Sequence, residues 1–304
     1  MRFAIFPSLT QPWADVLAIA RHAEVTGWDR CYVADHFVGG GGGSKPLTPG
    51  YLESTAVLSA LAVSTSRLRF GALVFAMTYR HPAVLANWAA TADILSGGRL
   101  VLGIGAGWQQ NEHSQYGIEL GRPGQRLDRF AEAIRVVRSL LTEERTSFDG
   151  RYYRVSDALC DPKPVQPRVP LLIGGSGDRM LGLVAREADE WNQWSTPAHM
   201  AARGAVLDQR CAVIGRDPAS IQRSTQALFL FTDAAAEATA FTERYAPQPA
   251  VAGPPAFVAD TIAQWQAAGV DEIVVPDWTL GTGQQRLDAM DTFMELAGPF
   301  RSSR

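Results

Sequence analysis

The chain has 304 residues, 46% of them hydrophobic and 19% charged, with a formal net charge of −3. That length and composition suit one soluble globular domain, taken as residues 1–304, with a small molecule as its partner. No basic run is long enough to neutralise nucleic-acid phosphates or an anionic membrane surface, and the apolar runs are of strand length, so neither partner is expected.

The opening stretch "MRFAIFPSLTQPW" has no basic head and no long apolar core, which predicts a cytoplasmic protein. Its first strand is expected near 2–7. "WADVLAIARHAEVTG" follows, with Val16, Leu17, Ala20, Ala23 and Glu24 at helical spacing and Gly27 as a stop. Further strands are expected near 30–35, 68–75, 100–106, 170–174, 190–194, 224–231 and 272–277. A helix should begin at Pro82 and a long one should run over 123–143. Two segments, "GWDRCYVADH" (27–36) and "GVDEIVVPDW" (269–278), share Gly-x-Asp, a buried strand and Val-x-Asp, and so read as copies of one βα unit. Eight such units predict an α/β fold, a (β/α)8 TIM barrel with chemistry at the C-terminal strand ends.

Two insertions exceed the minimal barrel. One, 144–169 after the fourth strand, contains a hairpin around Asp149-Gly150; the other, 232–256 after the seventh, starts as an Ala-rich helix. "GGGGGSKPLTPG" (39–50) reads as a lid or rim. Cys31, Cys160 and Cys211 are far apart and lack metal-ligand neighbours, so neither a disulfide framework nor a metal site is expected.

At the strand ends stand the candidates for chemistry. Asp35 and His36 follow the second strand, where an imidazole is placed for proton transfer at neutral pH. "LVLGIGAGWQQNEHSQYG" (100–117) carries Gly103, Gly105 and Gly107, but a dinucleotide cradle needs a helix opening within the glycines and an acidic strand end about 20 residues on. Neither follows; a loop or short helical turn does. Glu112 and His113 lie further along that segment. Gly174, Gly175, Ser176 and Gly177 separate an apolar strand from an amphipathic helix, and read either as a backbone anion cradle or as a tight turn with Ser176 as N-cap. Trp108, Trp191, Trp194 and Trp278 fall near strand ends, where they either wall a flat pocket or fill the core.

At these residues the chain resembles the bacterial luciferase-like superfamily and, more narrowly, its coenzyme F420-dependent oxidoreductases. The matching pieces are "VADHF" (33–37), the stretch from Gly50 to Ile118, "PLLIGGSGDRMLGLVAREADEWN" (170–192) and "AGVDEIVVP" (268–276). The resemblance implies hydride transfer between F420 and a small, largely apolar substrate. The alternative is a monooxygenase using flavin mononucleotide (FMN) supplied by a partner flavin reductase. It further implies a homodimer, His36 beside the coenzyme ring, the phosphate against Gly174, Gly175, Ser176 and Gly177, and a non-proline cis bond at Leu73–Val74 supporting the ring. Ala106 and Gly107 would let the backbone approach the ring edge, with Trp108 toward the substrate. The sugar-phosphate dehydrogenases of the family place a glutamate where Trp108 stands, so glucose phosphate is not the expected substrate.

Overall fold

The computed structural model describes residues 1–39 and 50–301; nearly all of the glycine-rich segment read as a lid lies outside them. Eight strands, β1 (Arg2–Phe6), β2 (Arg30–Val33), β3 (Arg69–Ala72), β4 (Leu100–Gly105), β5 (Leu171–Gly174), β6 (Glu190–Trp194), β7 (Gln222–Gln226) and β8 (Glu272–Pro276), alternate with helices. The fold is an α/β (β/α)8 barrel. Strand β4 is apolar on both faces, as a parallel strand covered on both sides must be, and all six of its residues are buried.

The chain divides into two compact units, one of Met1–Ser8, Ala14–Tyr32 and everything from Gly175 onward, the other of Leu9–Trp13 and Val33–Gly174. In the first, β1 pairs in parallel with β2 and β8, and β7 with β8 and β6. The repeated Gly-x-Asp has a structural purpose here. The Asp29 carboxylate accepts from the Phe3 amide at 2.9 Å, and the Asp271 carboxylate accepts from the Arg223 amide at 2.8 Å. Each aspartate amide donates back to the same residue's carbonyl. Each copy thus locks an incoming strand to its neighbour.

At the N-terminal ends of these strands lies a buried ionic cluster. Arg30 donates to both oxygens of Glu190, at 2.5 and 3.0 Å, and to the Tyr32 hydroxyl at 2.7 Å; Glu272 takes Arg2 and Tyr32, each at 3.2 Å. Burial pushes the Glu272 carboxyl above the usual range despite its arginine neighbours.

In the second unit β4 pairs with β3 and β5. Helix Pro82–Ser96 begins at the expected proline, with the His81 ring accepting from the Ala83 amide at 3.1 Å, and ends at Gly97 in the left-handed conformation. The hairpin of the first insertion forms from Thr146–Asp149 and Arg154–Ala158. Glu132, on helix Pro123–Thr142, accepts from the amides of Arg151, Tyr152 and Tyr153 and so fastens its turn.

One strand expectation needs correction. The run 224–231 is two strands, β7 and Leu228–Phe231, and the latter pairs with Ala250–Gly253 from the second insertion. No turn residue marks the break at Ala227, so an apolar run conceals a change of partner. Among the described residues no helix is long and apolar enough to cross a membrane.

Candidate active site

In the second unit the chain leaves β3 through a cis Leu73–Val74 bond, as expected, and resumes at Phe75–Ala76, which pairs with the end of β4. Val74 lies over the glycines of β4. A Cβ on Gly105 would stand 2.6 Å from Val74 Cγ2, one on Gly174 would stand 3.1 Å from both Val74 methyls, and one on Gly103 would overlap the Ala72 carbonyl oxygen. Gly107, at φ 80°, faces the Thr78 hydroxyl, which a Cβ would strike. The glycine run therefore lets two strands and a bulge approach closely, and is no dinucleotide cradle.

Asp35 secures that bulge. Its Oδ2 accepts from the Ala76 amide at 2.8 Å and from Arg80 at 2.7 Å, while Oδ1 accepts from Ser54 at 2.5 Å and again from Arg80 at 2.9 Å. A bidentate arginine plus two further donors occupies both oxygens of a buried carboxylate, so Asp35 acts by holding backbone in place.

His36 is held from one side. Its Nδ1 lies 2.9 Å from Glu112 Oε2, and the Tyr79 hydroxyl donates to the same oxygen. Glu112 Oε1 accepts from the amides of Phe37 at 2.7 Å and Val38 at 3.0 Å. Burial alone would raise the Glu112 carboxyl, but the hydrogen bonds from His36 and Tyr79 outweigh it and hold the group below the usual carboxylate range. Tyr79 is pushed the other way, by burial and by its bond to Glu112, and stays a donor. Every contact to Glu112 is thus a donor to a carboxylate, which assigns the proton to His36 Nδ1 and makes Nε2 the nitrogen available for chemistry. The imidazole stands edge-on to Trp108 and Tyr51, with ring centroids 5.8 and 6.1 Å away. Trp108 is 59% exposed.

In the first unit, helix Asp178–Glu187 takes Gly177, not Ser176, as its N-cap, which removes the N-cap reading of the serine. Gly175, at φ 127°, donates its amide to Asn192 O at 3.0 Å and accepts from Trp191 Nε1 at 2.7 Å. Among the described residues the Ser176 hydroxyl and the amides of Ser176 and Gly177 donate to no protein group. A turn with uncommitted donors before a helix N-terminus is a chemical fit for an anion such as a phosphate.

Residues 1–248 match the family model described as luciferase-like monooxygenase. The chain belongs to that family. This luciferase-like protein is 30% identical over 263 residues to the F420-dependent glucose-6-phosphate dehydrogenase of Kineococcus radiotolerans, a match covering 84% of this chain and 75% of that one. It is 32% identical over 167 residues to an uncharacterised protein of Mycobacterium tuberculosis, 55% of this chain and 58% of that protein; the chain thus spans little more than half the length of that relative. Among solved structures, an F420-dependent secondary alcohol dehydrogenase in complex with an F420-acetone adduct shares the fold. Its TM-score is 0.86 at 19% identity, over 99% of both chains. The family and its F420-dependent branch are those to which the sequence motifs point.

Several residues of this neighbourhood escape a reading of the sequence. Glu112 sits in helix Gln110–Tyr116, fully buried, and so reaches His36 across 76 positions. His113, one residue on, is buried too: Nδ1 meets Gln109 O and Nε2 meets Thr78 Oγ1, each at 2.7 Å. The sequence signal for both was a polar pair inside a segment that reads as a loop or short helical turn. For Tyr79 and Arg80 the only signal was the switch from apolar to polar after Met77.

Proposed function

We propose that this luciferase-like protein is an oxidoreductase that moves a hydride between coenzyme F420 and a small, largely apolar organic substrate. The observation that carries the reading is His36 Nδ1 locked on an ionised, buried Glu112 at a strand's C-terminal end, in a chain related to a named F420-dependent dehydrogenase. Coenzyme F420, when bound, supplies the hydride.

The remaining work falls to side chains of this protein. His36 gives or takes a proton at Nε2, and the Glu112 charge stabilises the ring while it carries both protons. Leu73, Val74, Ala106 and Gly107 are the residues assigned to support the flat ring. Asp35 keeps that bulge in place through Ala76 and Arg80. Gly174, Gly175, Ser176 and Gly177 are the turn assigned to the phosphate. Trp108 covers the substrate side and brings no carboxylate to it, which disfavours a sugar phosphate.

Fluorescence titration of the purified protein with F420 and with FMN tests the reading. Saturable F420 binding with weaker FMN binding is expected. Tighter FMN binding, together with oxygen consumption during turnover, would replace the proposal with a flavin monooxygenase.

A further inference from the structure

The first unit carries an aromatic surface that the proposed proton-transfer residues do not use. Strand parity places it. Phe6 shares a sheet face with Arg2, and Trp194 shares one with Glu190, because side chains alternate along a strand and registered partners in parallel strands point the same way. That face carries the buried ionic cluster at the N-terminal ends of the strands. The opposite face meets helices: Phe3 packs on Phe293, and Gln193 lies against Met200. Phe6 and Trp194 therefore rise from the inward face at the C-terminal ends.

There they meet Trp278, which follows β8. Trp194 and Trp278 lie nearly parallel, 18° apart with centroids 6.3 Å apart, and Phe6 meets Trp278 edge-on at 5.8 Å. Trp278 is nevertheless 43% exposed, so a large ring at the catalytic end of a strand keeps open surface.

Two polar neighbours decide what would cover it. Asp277 is compensated, its Oδ1 accepting from the Ser8 amide at 2.8 Å and its Oδ2 lying 3.1 Å from Arg286. Gln226 is not. It is registered beside Trp194 on one side and Val274 on the other, on the inward face, and only 4% exposed. Its side-chain amide makes no hydrogen bond to any described residue. Neither polar atom of that amide is fully shielded, so it opens onto space from which a ligand group can meet it.

We infer that Trp194, Trp278 and Gln226 form a stacking site for a planar, uncharged ring compound bearing a carbonyl or hydroxyl group. The ring lies against the tryptophans, and the Gln226 amide pairs with the polar substituent. Among the described residues the neighbouring charge, Asp277, is compensated, which favours no ionic ligand. Taking this compound as the substrate rests on the oxidoreductase reading; the stacking site itself does not.

Calorimetric titration of the intact protein without coenzyme tests it, with 1-tetralone as probe, tetralin as the ring lacking the carbonyl and 1-naphthoate as the charged analogue. Saturable 1-tetralone binding is expected, stronger than that of either control. Trp278→Ala should weaken it about tenfold and Trp278→Phe only a few-fold, since an edge-capable ring remains. Gln226→Leu should bring 1-tetralone down to the affinity of tetralin. Absence of saturable 1-tetralone binding, naphthoate binding best, or an unchanged affinity in Trp278→Ala with an unaltered melting curve would overturn the inference. Binding that follows these shifts without any F420-linked turnover removes the oxidoreductase reading and keeps the site. Turnover with no effect of Trp278 or Gln226 does the reverse.

Discussion

His36 Nδ1 and Glu112 Oε2 lie 2.9 Å apart, and the carboxylate's other oxygen is filled by the amides of Phe37 and Val38, the two residues that follow the histidine. One carboxylate thus orients both the ring and the turn that carries it. Replacing His36 with Ala is expected to lower turnover by roughly 10²–10⁴ and to leave F420 affinity within about threefold, as removal of a general acid or base does. Steady-state kinetics beside a coenzyme titration separates the two effects; an unchanged turnover ends the proton-transfer role.

Glu112→Gln alters the same site without changing its size. A glutamine presents one NH2 where the carboxylate presents a second acceptor, so either the His36 and Tyr79 donors or the two backbone donors lose their partner. Turnover should fall by about tenfold or more. A kcat like that of the wild type would show that Glu112 only fills space.

The Glu112 carboxyl also makes a stability prediction. Because its folded pKa lies below the unfolded value of about 4.3, its contribution is full above that pH and is lost as pH falls through the folded value. Melting curves between pH 3 and 7 should therefore show wild type ahead of Glu112→Gln near neutrality, with the gap closing below about pH 4. A gap constant across that range would mean that the carboxylate's charge does not stabilise the fold.

Gly105 and Val74 form a second coupled pair. Gly105→Ala drives a methyl group to 2.6 Å from Val74 Cγ2 and should destabilise the protein by about 1–3 kcal/mol. Val74→Ala in the same chain removes the obstructing methyls and should restore part of that loss, a coupling measurable by a double-mutant cycle in urea. Purely additive effects would deny the contact.

Arg30 tests the ionic cluster. Arg30→Met leaves Glu190 and Glu272 buried without their principal partner and should cost about 3–5 kcal/mol near neutral pH. Glu272 is already pushed upward by burial, and losing Arg30 pushes it further. A raised carboxyl makes the folded state bind protons more readily, so the variant's deficit should shrink as pH falls. Urea denaturation at pH 7 and at pH 5 checks the sign.

Much of the fold was legible because it depends on local pattern. Apolar runs of strand length, Pro82 at the start of one helix, and Asp149-Gly150 in a hairpin each carry their own signal. The partner change at Ala227 was not legible, since pairing between Leu228–Phe231 and Ala250–Gly253 joins residues more than twenty positions apart without a local mark. The same holds for Glu112, which a short helix brings to His36 across 76 positions of the chain.

By itself the sequence determined the alternation of strands and helices, the repeated Gly-x-Asp and Val-x-Asp units, and the histidine and glycine turns at strand ends, because each is written in neighbouring residues. Only the tertiary structure decided that Glu112 holds His36, that Asp35 anchors the bulge, and that the Gln226 amide makes no hydrogen bond to a described residue. Those facts depend on which oxygen meets which donor, and hydrogen bonds between distant strands are chosen by packing, which no short stretch of letters encodes.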